Sequence, residues 1–206
     1  MNNLLFRLLP GVLVLVAPGA AAPGAQADTL VMPIPPGLQL VTKSQGREIK
    51  LFEWVGPGET TSSWREMLTA QILKGLGKAT PAQWEAGMSR RWLGFCPTSR
   101  HVSIASGHEY GHAFSVFFLS CLKNPRTGLP EFTWVKAIQG EQDFFVVQRA
   151  FKAMPSNRKI VALSSHLKSA LVCSGEGCGR QGGADRLAIK ATAKGATSWQ
   201  GSVKAL

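Results

Sequence analysis

From residue 101 to residue 152 apolar side chains recur at every second position, and this two-residue period constrains the fold more than any other feature of the chain. Successive side chains of a strand point to opposite faces, so such a period predicts β-structure. In residues 112–122, Phe114, Val116 and Phe118 fall on one face. Ala113, Phe117, Leu119 and Cys121 fall on the other, the pattern of a strand covered on both sides. Residues 101–106, 131–139 and 144–152 read as further strands, with a Pro/Gly-containing loop at 124–130 and a tight connection around Gly140. Short connections between consecutive strands predict an antiparallel meander.

The flanks add helices. Thr80 as N-cap, Pro81 at the first helical position and Gln83 two residues later start a helix whose apolar stripe is Trp84, Met88, Trp92 and Phe95. Pro155 and Ser156 open a second, with Ile160, Leu163, Leu167 and Leu171 on one side. Residues 38–43 and 47–55 read as a hairpin turning at Gly46. Residues 62–73 fit either a helix, with Ser63 and Glu66 as a capping box, or a strand buried on both faces. The expected class is α+β: an antiparallel meander sheet with two or three packed helices.

The chain starts with one cation, Arg7, an apolar run to Ala17, and Ala25-Gln26-Ala27. This three-part layout predicts a signal peptide over residues 1–27. The apolar run is broken by Pro10, Gly11 and Pro18 and falls short of the ~20 residues that span a bilayer. The expected organisation continues with a Pro-rich extended stretch at 28–37, a single α+β domain at 38–178 and a disordered basic tail at 179–206. Four cysteines in an exported chain favour disulfides over metal thiolates. Three connectivities are open; local closure would join Cys173 to Cys178 and leave Cys96 with Cys121. The formal charge of +11 favours anionic partners such as lipid head groups or acidic polymers, while export and the lack of a basic run with interleaved aromatics exclude nucleic acid.

One string carries an explicit chemistry. His108-Glu109-Tyr110-Gly111-His112 matches the zinc-peptidase pattern in which two histidines one helical turn apart hold the metal and the glutamate acts as general base. The pattern needs a helix, and Gly107 and Gly111 each oppose one by about 1 kcal/mol. It also needs a third ligand. Ser115 and Phe118 occupy the Gly and His positions of the extended motif, Glu131 opens a strand, Glu141 sits in a turn, and His101 lies far up the neighbouring strand. The string therefore reads as a hairpin tip, with a zinc site at His108, Glu109 and His112 as the alternative. Glu131 with Glu141 or Asp143 could pair as glycosidase carboxylates do, but acids near hairpin ends read as solvated loop charges. His166 has no metal or nucleophile partner near it in sequence, and no G-x-S-x-G elbow or phosphate loop is present.

The ordered set Gly58-Glu59, Trp64 through Gln71, Cys96-Pro97, Cys121 with Asn124-Pro125, Gly128 through Glu131, Lys136 through Gly140 and Phe145 through Phe151 resembles a group of small secreted proteobacterial proteins of unassigned function. The resemblance implies a layered Mog1/PsbP-like arrangement and a turn without metal at residues 108–112; it supplies no catalytic residues. The expectation is an exported non-enzymatic protein, without cofactor, that binds a protein or an anionic cell-envelope component.

Overall fold

A computed structural model describes residues 27–174 and 186–190. The expected signal peptide, Cys178 and most of the expected tail lie outside them. Seven antiparallel strands form the main sheet in the order β2 (Gln39–Gln45), β3 (Ile49–Val55), β4 (Glu66–Leu73), β8 (Phe144–Phe151), β7 (Glu131–Gln139), β6 (His112–Cys121) and β5 (Arg100–Glu109). β2–β4 and β5–β8 are each a meander. The two join where β4 pairs with β8, and helix α1 (Pro81–Phe95) carries the chain from the sheet's centre to its far edge. A second sheet has the order β10 (Arg186–Lys190), β1 (Asp28–Pro33), β9 (Leu171–Ser174), preceded by helix α2 (Asn157–Ser169).

Among the described residues, ten strands against two helices make the fold predominantly β, which corrects the expected α+β class. The difference comes from three stretches. The ambiguous segment at 62–73 contains β4, held between β3 and β8 in unbroken register. The Pro-rich stretch contains β1, and part of the expected tail is β10. Each becomes a strand through pairing with distant residues, a cause that local periodicity does not carry.

Helix α1 starts as its sequence dictates. The Thr80 hydroxyl accepts from the Gln83 amide at 3.2 Å, and the Gln83 side chain accepts from the Thr80 amide at 3.0 Å. Trp84, Met88 and Trp92 then pack on Phe117, Val135 and Phe144 of one sheet face. Phe95 leaves this stripe and lies exposed at the helix end. The opposite face holds the larger core, where Leu163 and Leu167 of α2 and Leu30 and Met32 of β1 cover Leu68, Trp134 and Val147.

The two sheets meet at Asp28. Its carboxylate accepts from the Glu141 amide at 2.6 Å and from the Ser174 hydroxyl at 2.7 Å. Gly140 makes this approach feasible, since a Cβ there would collide with the Asp28 carboxylate itself, as well as lying 2.7 Å from the Phe145 ring. On the same core face, Glu66 binds both Arg149 of β8 and Lys159 of α2, clamping the helix to the sheet.

His166 fastens α2 to β1. Its Nε2–H donates to the Pro33 carbonyl at 2.9 Å, and the ring is buried. Burial, then the nearby Arg149 charge, push its pKa down to about 4; the Pro33 bond and Glu66 oppose the shift. The unfolded chain, with an ordinary histidine pKa near 6.5, takes up this proton first on acidification. Stability is therefore full above about pH 6.5 and falls by roughly 3 kcal/mol by about pH 4. Melting temperatures measured across that window should drop for the native chain, and His166→Gln, which can still donate to Pro33, should flatten this part of the profile.

Candidate functional site

The string His-Glu-Tyr-Gly-His closes the β5–β6 hairpin. Tyr110 and Gly111, with φ of 53° and 84°, form the two-residue turn, and Glu109 pairs directly with His112. Positive φ at both central residues is the turn geometry that matches the twist of paired strands, and Gly111 takes it without steric cost.

Register then assigns the side chains. Glu109 and His112 lie opposite one another and share a face, whereas His108 lies opposite Ala113 on the other. The two imidazoles are therefore not stacked one turn apart as the zinc pattern requires. His108 is exposed and His112 buried, its Nδ1–H donating to the Gln139 carbonyl at 3.1 Å. A cavity of about 610 Å³ beside the tip is lined by His108, Tyr110, His112, Glu141, Cys173 and Ser174. Among the described residues no three His, Cys, Asp or Glu side chains come close enough to hold a metal ion. The two histidines of the string, on opposite faces of the hairpin, are not placed to share one metal ion.

Glu109 is engaged elsewhere. Its Oε2 lies 2.5 Å from Nζ of Lys136, which is 1% exposed and also donates to the Ala170 carbonyl at 2.8 Å. The Phe114 ring lies 4.9 Å from the same ammonium. Burial lowers the Lys136 pKa, and the hydrogen bond and charge of Glu109 work against that shift. A general base must be within reach of a metal-bound water; this carboxylate instead neutralises a buried cation.

The other sequence candidates are scattered. Glu131 accepts from Lys152 at 2.8 Å and from Asn124 at 3.0 Å, while Asp143 caps the Gly75 amide at 2.8 Å. Glu131 and Glu141 sit at opposite ends of β7, about 26 Å of strand apart at ~3.3 Å per residue, too far for a glycosidase pair. Cys96 and Cys121 form a disulfide that joins the end of α1 to the end of β6. Cys173 is also disulfide-bonded.

Two polar constellations escaped the sequence reading. Lys136 left a signal, as a lone cation in the alternation Phe132, Trp134, Lys136, Ile138. Glu85 of α1 left none. Its Oε1 lies 2.7 Å from His101 Nε2 and also accepts from the Ser103 hydroxyl. A serine and a histidine that both bind the carboxylate, rather than each other, do not make a nucleophile and base.

At the disulfide end, Arg90, Arg91, Arg100, Lys123 and Arg126 are all exposed. Leu93, Phe95, Leu122 and Leu129 are exposed among them, with Arg126 5.2 Å from the centre of the Phe95 ring. The flanking acids in sequence, Glu85 and Glu131, are already bound to His101 and Lys152.

No protein-family model matches the chain, and no curated protein matches it in sequence. Among solved structures, a crystal structure of LpqN, described as involved in cell envelope biogenesis of Mycobacterium tuberculosis, is similar with a TM-score of 0.37 and 10% sequence identity. The match covers 71% of this chain and 83% of that one.

Replacing Glu109 by Gln keeps the shape and leaves Lys136 charged without its counter-ion. Chemical denaturation should show a loss of about 1–3 kcal/mol, below the full cost of breaking a buried pair because Glu109 is partly exposed. Adding Lys136→Met should restore most of it.

Proposed function

We propose that this chain is an exported, non-enzymatic binding domain whose disulfide end engages anionic lipid head groups of the cell envelope. The carrying observation is the grouping of five exposed cations with four exposed apolar side chains at one end. Cations attract a phosphate-bearing surface over a Debye length of roughly 10 Å, and apolar side chains between them add contact once the surface is reached. The Cys96–Cys121 disulfide supports an oxidising compartment outside the cytoplasm. Among the described residues no helix is long and apolar enough to cross a membrane, so the reading is association from one side. The commitment of Glu109 to Lys136 favours this over a peptidase.

Co-sedimentation of the chain, without its leader, with phosphatidylglycerol-containing vesicles tests the reading. Binding should be strong at low salt, weaken steeply as salt rises, and be absent with phosphatidylcholine vesicles. Each cation near such a surface contributes about 1 kcal/mol, so Arg100→Gln with Lys123→Gln should weaken binding roughly thirtyfold. Binding insensitive to salt and to these changes would overturn the proposal. So would stoichiometric zinc together with peptidase activity that Glu109→Gln removes.

A further inference from the structure

The outer edge of the main sheet and the helix beside it form a second feature, away from the basic end. Strand β5 is exposed along its length, and among the described residues no strand pairs with its outer edge. Between β5 and the first half of α1 lies a groove of about 840 Å³, lined by Pro81, Ala82, Ala86, Ile104 and Phe114, with Glu85 on its wall. The Ser115 hydroxyl, buried beneath α1, donates to the Pro81 carbonyl at 3.3 Å and holds the start of the helix against β6.

The register states which main-chain groups are open. A two-residue turn makes Glu109 and His112 a hydrogen-bonded pair, and hydrogen-bonded and non-hydrogen-bonded pairs then alternate along the ladder. Gly107 and Ala105 therefore bond inward to Phe114 and Val116. Ser106 and His108, opposite Ser115 and Ala113, turn their N–H and C=O groups away from β6. A bulge between Ser103 and Ala105 ends this regular run and leaves Ile104, an exposed side chain, beside the groove.

We propose that this edge and groove are a docking site for an extended peptide segment of a partner protein, which adds to β5 as an eighth strand. Two outward donors and two outward acceptors, set in pairs two residues apart along β5, match the spacing of an extended peptide backbone, whereas an acyl chain offers no partner for them. The groove beside them takes alternate side chains of the added strand. Its alanine and proline walls suit small apolar residues. Among the described residues the bonds to Glu85 fall on Oε1, which leaves its other oxygen for a cationic or amide side chain at one position.

The test uses a displayed library of random twelve-residue linear peptides, selected on the chain without its leader. Selected sequences should alternate small apolar residues with polar ones, and the synthesised consensus should bind in solution. Ser106→Pro deletes one outward N–H without touching the ladder to β6, a place where an edge strand tolerates proline. It should weaken consensus binding by about tenfold or more, the scale of one lost hydrogen bond plus the clash of the ring. Ala86→Trp, which fills the groove from the helix, should abolish binding. Both variants should keep the native melting temperature within a few degrees and bind anionic vesicles unchanged, which separates this site from the basic end. Failure to enrich any sequence, or a consensus that binds both variants undiminished, would overturn the proposal. A concentration-dependent dimer that Ser106→Pro dissociates would also overturn it, since the occupant would then be a second copy of the chain.

Discussion

An ammonium group buried in the larger core organises this molecule. Lys136 lies in the middle of β7, between Val116 and Val147 on the neighbouring strands, where a charge without partners would cost several kcal/mol. Its two oxygen ligands come from far apart in sequence, Glu109 at the tip of the β5–β6 hairpin and the Ala170 carbonyl where α2 gives way to β9. The hairpin tip and the α2–β9 junction must therefore both reach the same point above the sheet. The glutamate that looks catalytic in the string is the one whose charge the core requires.

Among the described residues, comparable bonds engage five further carboxylates. Glu66 holds Arg149 and Lys159, Glu131 holds Lys152, Glu59 holds Arg65, and the Asp28 and Asp143 carboxylates cap backbone amides between sheets and loops. Acids are thus drawn into the architecture while many cations remain on the surface. Part of the basic charge, diffuse along the sequence, gathers at the disulfide end, where α1 and β6 finish, β5 starts and the 124–130 loop lies, while Lys43, Arg47, Lys78, Arg158 and Lys168 are exposed elsewhere. The proposed peptide-accepting edge and the proposed lipid-facing end use different parts of the scaffold, one the outer main chain of β5 and the other charged side chains.

Several features were legible because their causes are local. Thr80, Pro81 and Gln83 fix the start of α1 through bonds within one turn, and the alternation in residues 112–119 sorts Phe114, Val116 and Phe118 from Phe117 and Leu119 onto the two cores where they lie. Gly107 and Gly111 were enough to set a hairpin against a helix at the His-Glu-Tyr-Gly-His string. The pairing of Cys96 with Cys121, the one that local closure favoured among three connectivities, is present in the fold.

The sequence by itself determined the strand periodicity, both helices, the turn at Tyr110 and Gly111 and the excess of positive charge, because each depends on neighbours in the chain. Tertiary structure alone decided that 28–33, 66–73 and 186–190 are strands, which makes the molecule predominantly β, since a strand is completed by partners that may be a hundred residues away. It alone also decided the role of Glu109. The string itself favours a hairpin tip over a zinc site, but what its carboxylate does there follows only from the approach of Lys136, 27 residues further on, whose buried charge would otherwise stand unpaired.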